Sequence, residues 1–264
     1  MKSNIVLAAS DNATVWIFLH LSKTGGTTVN GHFRRHMSWD DSFVHFGGWG
    51  NRYRKNVARS AIEERSEKVR SRIKVISGHR SYYGIHHLVP NKTPKYFTII
   101  RDPAQRCASR YNFNRSRGKI SASFEDWYAN VCVSQHRNAI CQFLAERVMN
   151  RRLSSNHKQN FRLARQLLDL CWHVCLTENL SNDLRYVFSE MGLPTDFVSH
   201  RVAGKAGNAL AGLDHPQKGE VIQSHYVLSD EMRSRIQKDN LWDVRLYEYA
   251  RQLNEKQWSI IRSL

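Results

Sequence analysis

The sequence predicts an α/β fold, P-loop-like and three-layered, with a central, mostly parallel sheet between helices. Three observations carry this. Short apolar runs alternate with amphipathic helical patterns along the chain, the order that builds parallel sheets with helical crossovers. The first run, 14–21 (TVWIFLHL), is nearly continuous, as a strand buried on both faces must be. It leads directly into a glycine-bearing turn, Ser22-Lys23-Thr24-Gly25-Gly26-Thr27-Thr28, and a helix to about His36.

The remaining elements follow in order. A charged amphipathic pattern over 57–72 predicts a helix, and KVIS at 74–77 a strand. YFTII at 96–100 predicts another strand, ending in Arg101-Asp102-Pro103. Pro103 opens a helix to Phe113, with Asp102 as its cap. Ser123 and Asp126 make a capping-box-like start to a helix over 124–131. The region 116–165 reads as helical and as the substrate side. WHVCL at 172–176 is a fourth strand. A helix over 180–191 stops at Gly192, with Pro194 beyond. The segment 198–223 has four glycines, Gly204, Gly207, Gly212 and Gly219, and no periodicity, so it reads as a long surface loop. Ser229 caps a last helical stretch to about Leu253. No repeat or low-complexity linker divides residues 1–264, which read as one domain.

Composition narrows the partners. Hydrophobic residues make up 41% of the 264, enough for a core and against disorder. Lys+Arg 40 against Asp+Glu 23 leaves +17, so the partner is expected to be anionic. Five cysteines, an odd number with no CxxC and no His/Cys ligand spacing, argue against a disulfide scaffold or a zinc site. They read as small buried hydrophobes, with Cys132 and Cys141 the one pair to check for a bridge. No run approaches the ~18 apolar residues of a membrane span. The chain is expected in the cytoplasm if bacterial, or in the Golgi lumen if it is a trimmed eukaryotic protein.

Two segments carry chemistry. In Lys23 to Thr28, glycines let backbone N–H groups approach an anion at a helix start, the threonines offer hydroxyls and Lys23 a full charge. This is a phosphate cradle, but not the nucleotide-triphosphatase pattern, in which the lysine follows the glycines. The second segment is Arg101-Asp102-Pro103 with Arg106, Ser109, Arg110 and Tyr111. Strand ends line the ligand crevice of an open parallel sheet, which places Arg101 near Lys23, as a fork for a second phosphate.

Together, FLHLSKTGGTT and TIIRDPAQRCASRYNF resemble the sulfotransferases that use 3′-phosphoadenosine 5′-phosphosulfate (PAPS). The likeness is to the carbohydrate group that includes heparan sulfate 2-O- and 6-O-sulfotransferases and bacterial relatives. It runs from about Val15 to Leu253, through LTENLSNDLRYVFSEMGLP and NLWDVRLYEYA, and is loose over 116–165. The resemblance implies that Lys23, Thr24, Gly25, Gly26, Thr27 and Thr28 grip the 5′-phosphosulfate. It implies that Arg101 and Ser109 grip the 3′-phosphate, and that Arg201 and Lys205, in the late loop, close over the nucleotide. It also implies that the Gly-His of Ser77-Gly78-His79-Arg80-Ser81-Tyr82 supplies the catalytic base, His79. A histidine titrating near neutrality suits removal of a hydroxyl proton.

Lys23 then stabilises charge on the leaving group, and no metal is required. His20 reads as a packed residue of the first strand. His86 and His87 are reserve candidates for acceptor binding, with Tyr82, Arg80 and Arg52. Other acceptor-side candidates are Arg54 and Lys55; Arg115, Arg117 and Lys119; and Arg147, Arg151 and Arg152, with Trp49, Tyr53 and Tyr83 for stacking on sugars. The expected partners are an anionic nucleotide donor and a carbohydrate acceptor compatible with acidic character, without a specific nucleic acid. Two other classes stand beside this reading: a P-loop kinase or NTPase, and a basic nucleic-acid-binding protein.

Overall fold

The computed structural model describes residues 13–39, 41–46, 59–154, 156–197 and 225–263. Arg52, Arg201, Lys205, Trp49, Tyr53, Arg54, Lys55 and the expected loop over 198–223 lie outside the described residues. Five strands, β1 (Thr14–Leu19), β2 (Phe43–His45), β3 (Val75–Gly78), β4 (Thr93–Ile100) and β5 (His173–Leu176), form one sheet in the order β2-β3-β1-β4-β5. Every pairing is parallel. The helices are α1 (Gly26–His36), α2 (Arg59–Glu63), α3 (Glu67–Arg70), α4 (Pro103–Arg115), α5 (Phe124–Trp127), α6 (Val133–His136), α7 (Ala139–Met149), α8 (His157–Asp169), α9 (Leu180–Glu190), α10 (Asp230–Asp239) and α11 (Leu241–Ser263).

The apolar run of β1 is explained by its central place. Val15, Ile17 and Leu19 pack into a core shared with α7, α8 and α11. Trp16 and Phe18 face a second core, built with Val29 and Phe33 of α1 and with Leu184, Val187 and Phe188 of α9. Period-2 alternation sends successive side chains to opposite faces, so a strand covered on both sides needs apolar residues at every position. A third cluster joins α4 to α5 and α10 through Tyr111, Phe124, Trp127, Met232 and Ile236.

Local capping matches the sequence. The Asp102 carboxylate accepts from Gln105 N at 2.8 Å, with Pro103 in the first turn of α4. Ser123 accepts from Asp126 N at 3.1 Å, and Ser229 from Met232 N at 3.2 Å. Gly192, at φ 67, ends α9.

Four expectations are corrected. The single helix over 57–72 is two short ones, α2 and α3, because Ser66 is extended at φ −58, ψ 154 and begins a new cap. The helix from Phe124 passes into a π-turn, Tyr128–Cys132, before α6. The last helical stretch breaks at Asn240, whose Nδ2 bonds back to the Ile236 carbonyl at 2.8 Å. Cys132 does not meet Cys141. Its Sγ lies 3.4 Å from that of Cys107, whereas Cys141 is buried at the start of α7. All five cysteines are buried free thiols. The three-residue β2 is an addition to the elements read from sequence, and the region 116–165, read as helical without internal boundaries, divides into α5, α6, α7 and most of α8.

Candidate active site

The loops after β1, β3 and β4 meet at the C-terminal edge of the sheet. Leu19 and Thr98 are aligned in β1 and β4, and Thr98 Oγ1 donates to the Leu19 carbonyl at 2.9 Å. The glycine turn follows β1. Thr24 turns its hydroxyl back to the Leu21 carbonyl at 2.8 Å, so it shapes the turn and does not present that proton outward. Lys23 takes a left-handed backbone conformation, φ 69, and Gly25 follows at φ 95. Two positive φ angles so close together fold the turn tightly ahead of α1. Thr27 is exposed, and Thr28 is buried with its N–H on the Gly25 carbonyl at 3.0 Å.

Two arginines hold this turn from the far side. Arg101, just past β4, donates from Nη1 to the Lys23 carbonyl at 3.2 Å. Arg106, one turn into α4, donates from Nε to the Ser22 carbonyl at 3.2 Å. Both are buried, at 8% and 9% exposure. The Lys23 ammonium lies 3.8 Å from the Phe113 ring centroid, and the Arg117 guanidinium sits 4.0 Å from the same ring. Phe113 is four residues past Ser109, so half-buried Ser109 shares that face of α4. Burial first, then Arg101 and Arg117, lowers the Lys23 pKa to about 8. Partly desolvated cations gathered at one sheet edge are the electrostatic condition for an anionic ligand.

His79 is the first residue after β3. Gly78 precedes it at φ 133, and a Cβ there would stand 2.0 Å from the Phe46 carbonyl oxygen. Only glycine lets the end of β2 pass so close while the chain turns to present His79. His79 Nδ1 lies 2.9 Å from the His20 carbonyl. A carbonyl only accepts, so Nδ1 carries the proton and Nε2 keeps its lone pair. Burial, with Arg147 adding to it, lowers the His79 pKa below the usual histidine value. The imidazole is therefore neutral at neutral pH, the state a base requires. The His20 and His79 rings stack at 4.0 Å.

The other expected residues divide. Arg80 is exposed beside Arg147, on the same side as His79. Tyr82 is half-buried against the main core. His86 and His87 are not brought to this edge. They line a cavity with Ala13, Lys92 and Thr93, at the N-terminal ends of β1 and β4, and His86 Nδ1 is 2.6 Å from the Tyr96 hydroxyl. The short 3-10 turn Ile85–Leu88 carries them away from His79.

Among the described residues, His173, Cys175 and Asp183 are close enough to suggest metal ligands. Asp183 is already engaged. Its Oδ1 accepts from His173 Nε2 at 3.1 Å, Asn254 Nδ2 at 3.0 Å and Trp258 Nε1 at 2.7 Å, and its Oδ2 from Leu176 N at 2.8 Å. This group ties α9 and α11 to β5 and fits a structural hub.

Sequence reasoning named Arg106 without a role and read His20 as mere packing. The contacts that define both span 84 and 59 residues. The Arg101–Arg106 spacing, about one helical turn beyond the cap, was the available signal for the first.

The parallel α/β fold thus presents a glycine turn, clustered cations and a neutral histidine at its strand ends, the edge at which open parallel sheets form their ligand crevice. A family model described as Sulfotransferase family matches residues 9–250, and the chain belongs to that family. Among solved structures, the chain is similar to a sulfotransferase from Alicyclobacillus acidocaldarius at 15% identity and a TM-score of 0.46, covering 89% of this chain and 94% of that one. No curated protein matches it. Among the described residues, no helix is long and apolar enough to cross a membrane.

Proposed function

We propose that this transferase moves a sulfuryl group from PAPS to a hydroxyl of a carbohydrate acceptor, with His79 as general base. The observation that carries the reading is the meeting, at one sheet edge, of the arginine-braced turn at Lys23 and the Nδ1-anchored His79. In this reading, backbone N–H groups of Gly25 to Thr28 and the charge of Lys23 receive the 5′-phosphosulfate, while Arg101 and Ser109 receive the 3′-phosphate. The acceptor oxygen attacks sulfur in line with the bridging oxygen. The new S–O bond forms as the bond from sulfur to the bridging oxygen breaks. The acceptor proton passes to His79 Nε2, and adenosine 3′,5′-bisphosphate departs with the charge. Lys23 and the N-terminus of α1 stabilise that charge as it grows.

The carbohydrate acceptor is supported by the resemblance of the two motifs to the heparan sulfate group and by the excess of +17, which suits an acidic glycan.

The test is thermal stabilisation by adenosine 3′,5′-bisphosphate against ATP with magnesium, at matched ionic strength. A ligand that binds only the folded state raises Tm by an amount that grows with its concentration relative to Kd. A shift with the bisphosphate alone, followed by PAPS-dependent labelling of a glycan, is expected. A shift only with ATP and magnesium replaces this reading with phosphoryl transfer.

A further inference from the structure

We propose that His20 is a positioning residue that joins the two halves of the site, its imidazole being the common wall between the base His79 and the glycine turn. The inference rests on the reading of His79 as the base.

His20 directly follows β1 and is 9% exposed. Its ring stacks on His79 at 4.0 Å and 25°, and on Phe18 at 5.2 Å and 15°. Its carbonyl takes the His79 Nδ1 proton at 2.9 Å. One residue thus holds the base both through its backbone and through its side chain.

The same ring is tied to α1. Ser77 Oγ donates to Asn30 Oδ1 at 2.6 Å, which leaves Asn30 Nδ2 facing His20 Nδ1 at 3.3 Å. An amide nitrogen only donates, so His20 Nδ1 accepts and the proton sits on Nε2. The Nε2 edge lies against Gly26: a Cβ there would be 1.8 Å from it. Gly26 is not among the glycines of positive φ, so this ring is what demands glycine. The two histidines are therefore held in opposite tautomers, His79 with its lone pair and His20 with its proton on Nε2. A close-packed ring transmits displacement, so a shift of the turn at Gly26 reaches His79 through His20.

The charged neighbours are named by element. His45 at the end of β2 faces His20, while Arg147 of α7 faces His79 and Arg80 stands beside that arginine. Burial and these charges together keep both rings neutral.

The first experiment titrates the His79 imidazole by NMR without donor, its signal assigned with His79→Gln. In His20→Ala and in His20→Asn, which keeps a polar partner for Asn30, the ring that shields His79 is gone. The midpoint is expected to rise towards the ordinary histidine value, by about half a unit or more. In His20→Phe the shielding ring remains and the midpoint stays put. The second experiment measures binding of adenosine 3′,5′-bisphosphate. Gly26→Ala is expected to weaken it about tenfold or more, and adding His20→Ala to recover most of that loss. An unmoved His79 midpoint in a folded His20→Asn, or a Gly26→Ala defect that His20→Ala leaves untouched, overturns the proposal. Failure of the wild-type chain to bind the bisphosphate overturns the sulfotransfer reading instead, and the titration still decides whether His20 governs His79.

Discussion

Asn138 and Asp243 cap each other's helices. Asp243 accepts from Ile140 N at 2.9 Å and Cys141 N at 2.8 Å, at the start of α7. Asn138 Oδ1 accepts from Trp242 N at 3.0 Å and Asp243 N at 3.2 Å, at the start of α11. Both residues are buried. Through this exchange α11, the last helix of the chain, sets the position of α7, which carries Arg147 to the His79 side.

Removing that carboxylate orphans two buried N–H groups. Asp243→Ala is expected to lower stability by about 2–4 kcal/mol. Urea unfolding measures it as a lower midpoint at an unchanged slope. A loss within the scatter of surface substitutions would mean that the two helices cap themselves.

Arg106 braces the turn without standing in the catalytic roles. Arg106→Gln keeps a donor but shortens the reach to the Ser22 carbonyl. Binding of adenosine 3′,5′-bisphosphate is expected to fall about tenfold, as for loss of a charged hydrogen bond. Isothermal calorimetry reads this directly, and unchanged affinity would assign Arg106 to packing alone.

The rate should be bell-shaped in pH. His79 has to be neutral, and its pKa is lowered, so the acid limb lies below the ordinary histidine value. Lys23 has to be charged, and its pKa is lowered to about 8, so kcat/KM falls as pH rises through that value. Lys23→Arg stays protonated and should flatten the alkaline limb while leaving the acid limb in place. An alkaline limb that persists in this variant would assign it to another group.

Acid should weaken the fold through His32. This residue is 2% exposed and stacks on Phe188 at 4.0 Å, and burial, then the charges of His36 and Arg35, pushes its pKa down to about 4. The unfolded chain takes the proton first as pH falls. The contribution is therefore whole above the unfolded value near 6.5 and is lost by about 4, on the order of 3 kcal/mol over the full swing. His32→Phe should remove that part of the slope, as urea unfolding at pH 7 and pH 5 would reveal. An equal slope in the variant would shift the effect to other histidines.

Much of this was legible in the chain. β1, β3, β4 and β5 are short apolar runs, the first three ending where chemistry-bearing residues begin, and the glycines after β1 and β3 and the cap at Asp102 are local patterns. What escaped was non-local. β2 has three residues, too few for periodicity to register, and exists because it pairs with β3. The region 116–165 read as helical but undivided, and the left-handed Asn138 and Asn150 that bound α7 are the breaks within it. His86 and His87 looked close to His79 by number, but the turn at Gly84 carries them to the other end of the sheet. Proximity in sequence fails once the chain reverses along a strand.

The central place of β1 has a consequence during synthesis. Among the described residues β1 pairs with β3 and β4, and the partner of Leu19 at Thr98 is 79 residues further on. At ~5–20 residues per second, that separation is roughly 4–16 s of translation. Until β3 is made, the nascent chain holds Val15 to Leu19, every one destined for burial, without either strand they pair with, and until β4 is made it has only one of the two. Expression yield of this protein is therefore expected to respond to chaperones that shield short apolar segments, and to slower translation before Thr93 more than after it.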